Sequence, residues 1–262
     1  MRTFATDERL AYCRAGNELQ PRPSEDHVLS YEYRLMQLPL VRPDHPEVVP
    51  FDLKAGYDWL GTYRAPRVSL VGFVDFGAFA QSPQFNRFMN AVAMTAAARK
   101  IAWDIVERRK YRHHFTICNG LHERMPIADI VPFVKQRLEG FPRFRIQVKG
   151  GWLWGKKNGR IYFPVYPELT DGPNPVDHLT EVQTRLGHSL HPGFYIGCLQ
   201  LMDHLRFNSE LDVHEADELF DVLRRYRETT IVELDVTELS ILRTHDDLIL
   251  KSRVLERVPL AG

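Results

Sequence analysis

The chain has few cysteines, no excess of either charge and no long apolar run, and each shortage argues against a class of protein. The three cysteines, Cys13, Cys118 and Cys198, are odd in number and lack metal-ligand spacing, which favours free thiols in a reducing compartment. Lys plus Arg and Asp plus Glu number 34 each, so no strongly basic surface for extended nucleic acid is predicted. No segment approaches membrane-spanning length, and the start lacks the apolar stretch of a signal peptide. We therefore expect a cytoplasmic protein.

The bulk composition is that of a globular protein. Apolar residues make up 44% and charged residues 26% of the 262 positions, enough for one large domain or two lobes that share a core. Residues 1–66 are rich in proline and show little periodicity, which predicts an extended arm or cap. Residues 67–262 carry clear strand and helix patterns and form the second predicted unit.

The patterns in this second unit alternate between strands and helices. Ser82-Pro83 is typical of an N-cap and first helical residue, and Asp177 has the pattern of another N-cap. Strands are predicted at 68–74, 111–118, 144–149, 152–154, 160–163, 194–202, 230–236, 239–243 and within the closing segment 248–260, and helices at 82–108, 127–138, 177–186 and 212–226. This order predicts an α+β fold of antiparallel sheets that carry helices on their outer faces.

The segment His113-His114-Phe115-Thr116-Ile117-Cys118 is the most informative stretch for chemistry. On a strand, His114, Thr116 and Cys118 are predicted to point to one face, and Phe115 and Ile117 to the other. An imidazole and a hydroxyl two residues apart on a rigid strand can hold and protonate a phosphate. The structural alternative is a strand histidine satisfied by a neighbouring carbonyl, beside a threonine that simply favours strands.

Two parts of the chain share an order of elements. Strand 114–118, helix 127–138, strand 144–149 and a hairpin are matched by strand 194–202, helix 212–226, strand 230–236 and a closing pair of strands. This repeated order predicts two antiparallel sheets flanked by helices in a bilobal, pseudo-twofold arrangement. The two equivalent strands, 114–118 and 194–202, would then lie near a central groove.

The layout resembles the 2H phosphoesterase superfamily, which includes RNA 2′,3′-cyclic phosphodiesterases. That family has a His-x-Thr/Ser motif on each central strand of a bilobal α+β fold. Over about residues 67–260, the resemblance rests on His114-Phe115-Thr116, on the order of elements and on the sequence pattern of the last segment, from Leu239 to Pro259-Leu260. It implies a metal-independent phosphodiester chemistry in which one imidazole accepts a proton while another donates one.

The second motif is missing where the resemblance would place it, at Phe194-Tyr195-Ile196-Gly197-Cys198. The role of the second imidazole then falls to Tyr195, as a phosphate ligand or weak acid, or to His191 in the preceding loop. The structural alternatives are a core or rim aromatic for Tyr195 and a simple turn residue for His191. His178-Leu179-Thr180 has the right letters, but on a helix the two side chains diverge and cannot bind one phosphate.

These observations predict a metal-independent phosphoesterase-like protein that acts on a nucleotide or an RNA-derived phosphodiester. Its candidate residues are His114, Thr116, Tyr195 and His191, and no cofactor or metal is expected. The alternatives are a non-catalytic module that binds a nucleotide, an RNA end or a protein partner on the same fold, and a lyase or isomerase of a phosphorylated metabolite. The sequence leaves the substrate, the oligomeric state and the role of residues 1–66 open.

Overall fold

The computed structural model of the protein describes residues 3–8, 62–154, 160–187, 198–202, 212–246 and 248–262, with the backbone alone at 152–154, 160 and 198–202. Within these ranges the strands are β1 Thr62–Phe73, β2 His114–Cys118, β3 Phe144–Lys149, β4 Trp152–Trp154, β5 Arg160–Pro167, β6 Cys198–Met202, β7 Thr230–Val236, β8 Glu238–Asp246 and β9 Ser252–Pro259. The helices are α1 Phe76–Gln81, α2 Pro83–Ala93, α3 Trp103–Arg109, α4 Ile127–Arg137, α5 His178–Arg185 and α6 Val213–Tyr226, with 3₁₀ turns at Ala96–Lys100 and Leu121–Glu123.

The strands are hydrogen-bonded in the order β7-β3-β5-β6-β2-β1-β8-β9, with β4 alongside β5. Every pair is antiparallel. Residues 161–164 of β5 pair with β6, whereas residues 165–167 pair with β3, so β5 joins two antiparallel sheets. The predicted α+β class with antiparallel sheets is confirmed.

The two blocks recognised in the sequence do not each build a separate half of this arrangement. β3, from the first block, pairs along its length with β7, from the second. The adjacent strands β2 and β6 instead divide the order, with β1, β8 and β9 on one side and β5, β3 and β7 on the other. The pseudo-twofold relation between two lobes stays a prediction.

Local capping signals in the sequence correctly mark where helices begin. The Ser82 hydroxyl accepts a hydrogen bond from the Phe85 N–H, and Pro83 is the first residue of α2. Asp212 and Glu215 form a reciprocal capping box at the start of α6. These short-range bonds satisfy N–H groups that a helix start leaves without partners.

The single helix predicted over 82–108 is wrong. α2 ends at Ala93, Thr95 has extended backbone, and a 3₁₀ turn separates α2 from α3. The Thr95 hydroxyl donates to the Val92 carbonyl, while the Ala96 N–H donates to the Glu218 carboxylate on α6. A distant carboxylate thus takes the N–H that would have continued the helix.

The main core fills the space between the helices and one face of the sheets. Phe115 and Ile117 of β2 are fully buried there, together with Val68 and Leu70 of β1 and Phe163 of β5. A second, smaller apolar cluster lies on the opposite face of β1 and β8, built from Val71, Leu242 and Ile249, with Phe73 and Val254 packed against it.

The start of the chain is attached to the end of β5. Phe4 pairs with Glu168, and the Ala5 N–H donates to the Pro167 carbonyl at 2.8 Å. The Tyr166 hydroxyl donates to the Asp7 carboxylate at 2.5 Å. Residues 9–61, most of the predicted arm, lie outside the described residues, so the division into 1–66 and 67–262 stays a prediction. In the described part of the chain, no helix is both long and apolar enough to cross a bilayer.

Candidate functional site

β2 lies at the middle of the strand order, directly beside β6. Phe115 is paired with Leu199, and β1 flanks β2 on its other side. The two strands expected to face a shared groove are therefore neighbours. Because the two strands are antiparallel, Thr116 lies opposite position 198 and His114 lies opposite position 200.

The faces of β2 alternate as predicted over its first four residues. Phe115 and Ile117 are buried in the main core, while His114 and Thr116 are half-buried on the other face. Phe73 and Val71 of β1 are paired with these two residues and share their face. We call this surface of β1 and β2 the His114 face.

Cys118 was predicted on the His114 face, but it packs in the main core. β1 advances by one residue, from Leu70 to Val71, while β2 advances by two, from Cys118 to Thr116. This bulge puts the Cys118 side chain on the core side. Burial there raises the pKa of the thiol to about 12, against the opposing effect of the Arg124 charge, so Cys118 is a packing residue.

The His114 ring is held by its own strand. Its Nδ1 lies 2.9 Å from the Arg112 carbonyl oxygen, which can only accept a hydrogen bond, so Nδ1 carries the proton. Nε2 is then left with its lone pair. The Phe73 ring meets the imidazole edge to face, with 6.1 Å between ring centroids, and limits its rotation.

The neutral form of this imidazole is strongly favoured. Burial lowers the pKa of His114 to about 4; the hydrogen bond to Arg112 opposes this shift, and the positive charge of Arg109 adds to it. At neutral pH the ring presents a hydrogen-bond acceptor and a proton acceptor at Nε2. Its one proton, on Nδ1, is committed to the Arg112 carbonyl, so Nε2 has no proton to donate.

The Thr116 hydroxyl lies two residues along the same face. Within the described residues it makes no hydrogen bond to protein, and its side chain is half-buried. A hydroxyl rotates freely and can donate to an anionic oxygen. His114 and Thr116 thus offer a proton acceptor and a donor on one rigid strand.

A turn between β8 and β9 forms one wall of the His114 face. Ile249 in this turn has φ 54°, which is rare for a β-branched residue, and its side chain packs on Val71 and Leu242. The buried Asp246 carboxylate accepts from the N–H groups of Leu250 and Lys251. These contacts fix the strained conformation.

Arg112 connects this turn to the histidine. Its guanidinium donates to the carbonyls of Ile249 and Leu250 and to the Ser252 hydroxyl. Its own carbonyl accepts from His114. The same residue therefore holds both the turn and the imidazole.

A second polar pair lies on the His114 face beyond Thr116. The Ser69 hydroxyl donates to Asn119 Oδ1 at 2.8 Å, and the Gly120 N–H donates to the same oxygen at 2.9 Å. Ser69, Asn119 and Phe73 were not among the site residues predicted from the sequence. Asn119-Gly120 signals a turn, and Gly120 has φ 70°, but a partner 50 residues away in sequence leaves no local signal.

Two of the candidate residues, Tyr195 and His191, lie outside the described residues, and their roles stay predictions. The rejection of His178-Leu179-Thr180 has a clear structural basis. Asp177 caps α5 and accepts from both the N–H and the hydroxyl of Thr180, while the His178 ring stacks on Phe144 with 5.0 Å between centroids. The two side chains have separate partners.

One cleft lined by described residues lies away from the His114 face. An open cleft of about 730 Å³ is lined by residues that include Arg143, Glu168, Asp171 and His178, and none of its lining residues belongs to β2. Among the described ranges, no three His, Cys, Asp or Glu side chains converge as metal ligands would. The predicted absence of a metal stays a prediction.

Comparison with known proteins leaves the chain to be interpreted from its own geometry. No protein-family model matches it, and no curated protein matches it in sequence.

Proposed function

We propose that the protein is a metal-independent phosphoesterase of the 2H type, acting on a nucleotide or an RNA-derived phosphodiester bound along the His114 face. The observation that carries this proposal is that His114 and Thr116 share the non-core face of a central strand. The adjacency of β2 and β6 supports it, because a phosphate there would lie between the two middle strands.

Phosphodiester cleavage needs a base for the nucleophile, an acid for the leaving oxygen and donors for the non-bridging oxygens. His114 supplies the base, because Nε2 is unprotonated and Nδ1 is fixed by the Arg112 carbonyl. Thr116 supplies a donor for a non-bridging oxygen. The acid belongs to the second strand or its preceding loop, where the sequence offers Tyr195 and His191.

The base role makes a specific prediction about pH. The kcat/KM of an enzyme reports the pKa of its free form. With the pKa of His114 lowered to about 4, kcat/KM should rise with pH through that value and be level on this limb by pH 6. A histidine that acted as the acid would instead make kcat/KM fall as pH rises past 4.

The direct test is turnover of 2′,3′-cyclic, 2′–5′ and 3′–5′ linked substrates in the presence of a chelator. His114→Ala should reduce turnover by about 10²- to 10⁴-fold, the usual contribution of a general base. His214→Gln is the matched control, because His214 is exposed on α6 and its side chain is paired with Glu218. Equal turnover in wild type and His114→Ala would remove the catalytic proposal.

A second candidate is a module that binds the same ligands without cleaving them. The observation that favours it is the pKa of His114, because an imidazole with a pKa of about 4 is a good acceptor of hydrogen bonds but a weak base. Binding alone would raise the melting temperature with nucleotide and yield no product. Loss of this shift in Thr116→Val, with no turnover in wild type, would favour the module.

A further inference from the structure

Asn119 has only one hydrogen-bonding role left to offer a ligand. An amide oxygen has two lone pairs, and the Ser69 hydroxyl and the Gly120 N–H occupy both. Because a backbone N–H must donate, the group that receives it is the oxygen, which fixes the orientation of the amide. The Nδ2 group has no protein partner within the described residues and can only donate.

The position of this donor suits the far end of a nucleotide. Ser69 lies on the His114 face, since its neighbour Val71 along β1 is paired with Thr116. A strand rises about 3.3 Å per residue, so the four residues from the midpoint of His114 and Thr116 to Asn119 span at most roughly 13 Å, and less because of the bulge before Cys118. A nucleotide with its phosphate at His114 and Thr116 that runs along the strand in this direction would place its base near Asn119.

Asparagine commonly recognises adenine with both halves of its amide, by accepting from N6 and donating to N7. Here the accepting half is already saturated. At the 6-position of a purine or the 4-position of a pyrimidine, the remaining donor suits a keto oxygen, guanine O6 or uracil O4, and not the amino group that adenine or cytosine presents there. Purine N7 is an acceptor in both adenine and guanine and does not distinguish them.

We propose that Asn119 is a specificity-determining residue that favours nucleotides with a keto base, guanine or uracil, over those with an amino base, adenine or cytosine. This inference rests on the proposed function, because it assumes a nucleotide phosphate at His114 and Thr116. Ser69 acts as a positioning residue that keeps the donor turned outwards.

The test compares dissociation constants of GMP with AMP, and of UMP with CMP, by calorimetry. One hydrogen bond to a base typically changes affinity by about 3- to 10-fold, so the wild type should favour the keto member of each pair by at least that factor. Asn119→Asp retains an oxygen for Ser69 and Gly120 but has no donor, so it should abolish or reverse the preference. Asn90→Asp, at an exposed position on α2, controls for the added negative charge.

The possible outcomes separate this inference from the proposed function. Suppose that nucleotides bind and that His114→Ala lowers their affinity. If the wild type then shows no keto preference, or if the preference survives in Asn119→Asp, the assignment of Asn119 is overturned and the proposed function stands. If none of the four nucleotides binds the wild type, the assignment of Asn119 is overturned, and turnover of the phosphodiester substrates decides the proposed function separately. A preference lost in Asn119→Asp and kept in Asn90→Asp supports the assignment.

Discussion

The half-buried imidazole of His114 makes stability depend on pH between about 4 and 6.5. The pKa of His114 lies at about 4 in the folded protein, against 6.5 when it is unperturbed. Between these values the unfolded chain binds a proton that the folded chain does not, so the free energy of unfolding falls as the pH is lowered from 6.5 to 4. Above pH 6.5 both states are neutral and the effect is constant.

We expect His114→Gln to flatten this dependence. The difference between wild type and variant should change by on the order of 1 to 3 kcal/mol between pH 7 and pH 4, measured by urea denaturation at each pH. His214→Gln should follow the wild-type curve. Parallel curves for wild type and His114→Gln would show that the ring titrates alike in both states.

Gly72 is required by the ring that lies against it. Gly72 is paired with Phe115, and a Cβ at this position would overlap the end of the phenyl ring. Phe115 follows His114 directly, so any shift of the ring disturbs the strand that carries the candidate site.

Gly72→Ala should therefore cost about 1 to 3 kcal/mol, the usual range for overpacking a core. In the background of Phe115→Leu, which removes the ring, the same change should cost much less, and chemical denaturation of the four proteins measures the difference. An equal cost in both backgrounds would mean that the ring is not the obstacle.

At the scale of elements, the segment between α2 and α3 is bound by two carboxylates of α6, Glu218 at Ala96 and Glu215 at Arg99 and Lys100. Glu215 is 1% exposed and accepts hydrogen bonds from Arg99, Lys100 and the Asp212 N–H. Burial alone would raise the pKa of Glu215, but the hydrogen bonds from Lys100 and Arg99 outweigh it and hold the pKa at about 2. The stabilisation is therefore present above pH 4.5 and is lost as the pH falls towards 2.

Glu215→Gln should lower the free energy of unfolding at pH 7 by about 2 to 4 kcal/mol, because it leaves a buried cation less well paired and weakens the capping box. Glu228→Gln is the control, since Glu228 forms an exposed pair with Lys149 that should contribute less than about 1 kcal/mol. Similar losses in the two variants would contradict the role given to Glu215.

Prediction from sequence succeeded where the cause was local. The N-caps predicted at Ser82 and Asp177 are short-range hydrogen bonds, and the residue types that form them are visible in the sequence. The break after α2 was missed because Glu218, far along the chain, takes the N–H of Ala96. The periodicity of apolar residues continued across that break and gave no warning.

The same division applies to the candidate site. Alternation along a strand predicted the shared face of His114 and Thr116, since it depends only on backbone geometry. The bulge that turns Cys118 inwards depends on the register with β1 and was not predicted. Neither was the contact between Ser69 and Asn119, which exists only once two strands are paired.

At the scale of the whole molecule, the strand order joins parts of the chain that are far apart in sequence. β1 precedes β2 in sequence and pairs with it, but it also pairs with β8, near the end of the chain. β3 and β7 pair across more than 80 residues. Long-range antiparallel pairing of this kind is set by the burial of the whole core and has no signature in any one segment.

The attachment of residues 3–8 to β5 has a consequence for chain integrity. The first residues are joined to one side of the strand order by backbone hydrogen bonds to 167 and 169 and by the contact of Asp7 with Tyr166 and Arg227. The chain re-enters the described structure in β1, on the other side of β2 and β6. A peptide bond cut anywhere between residues 9 and 61 should therefore yield two fragments that co-elute as one particle under native conditions. Tyr166→Phe, which removes the hydroxyl that Asp7 accepts from, should let the smaller fragment dissociate, and separation of the cut wild type on a sizing column would show that the attachment is too weak to hold it.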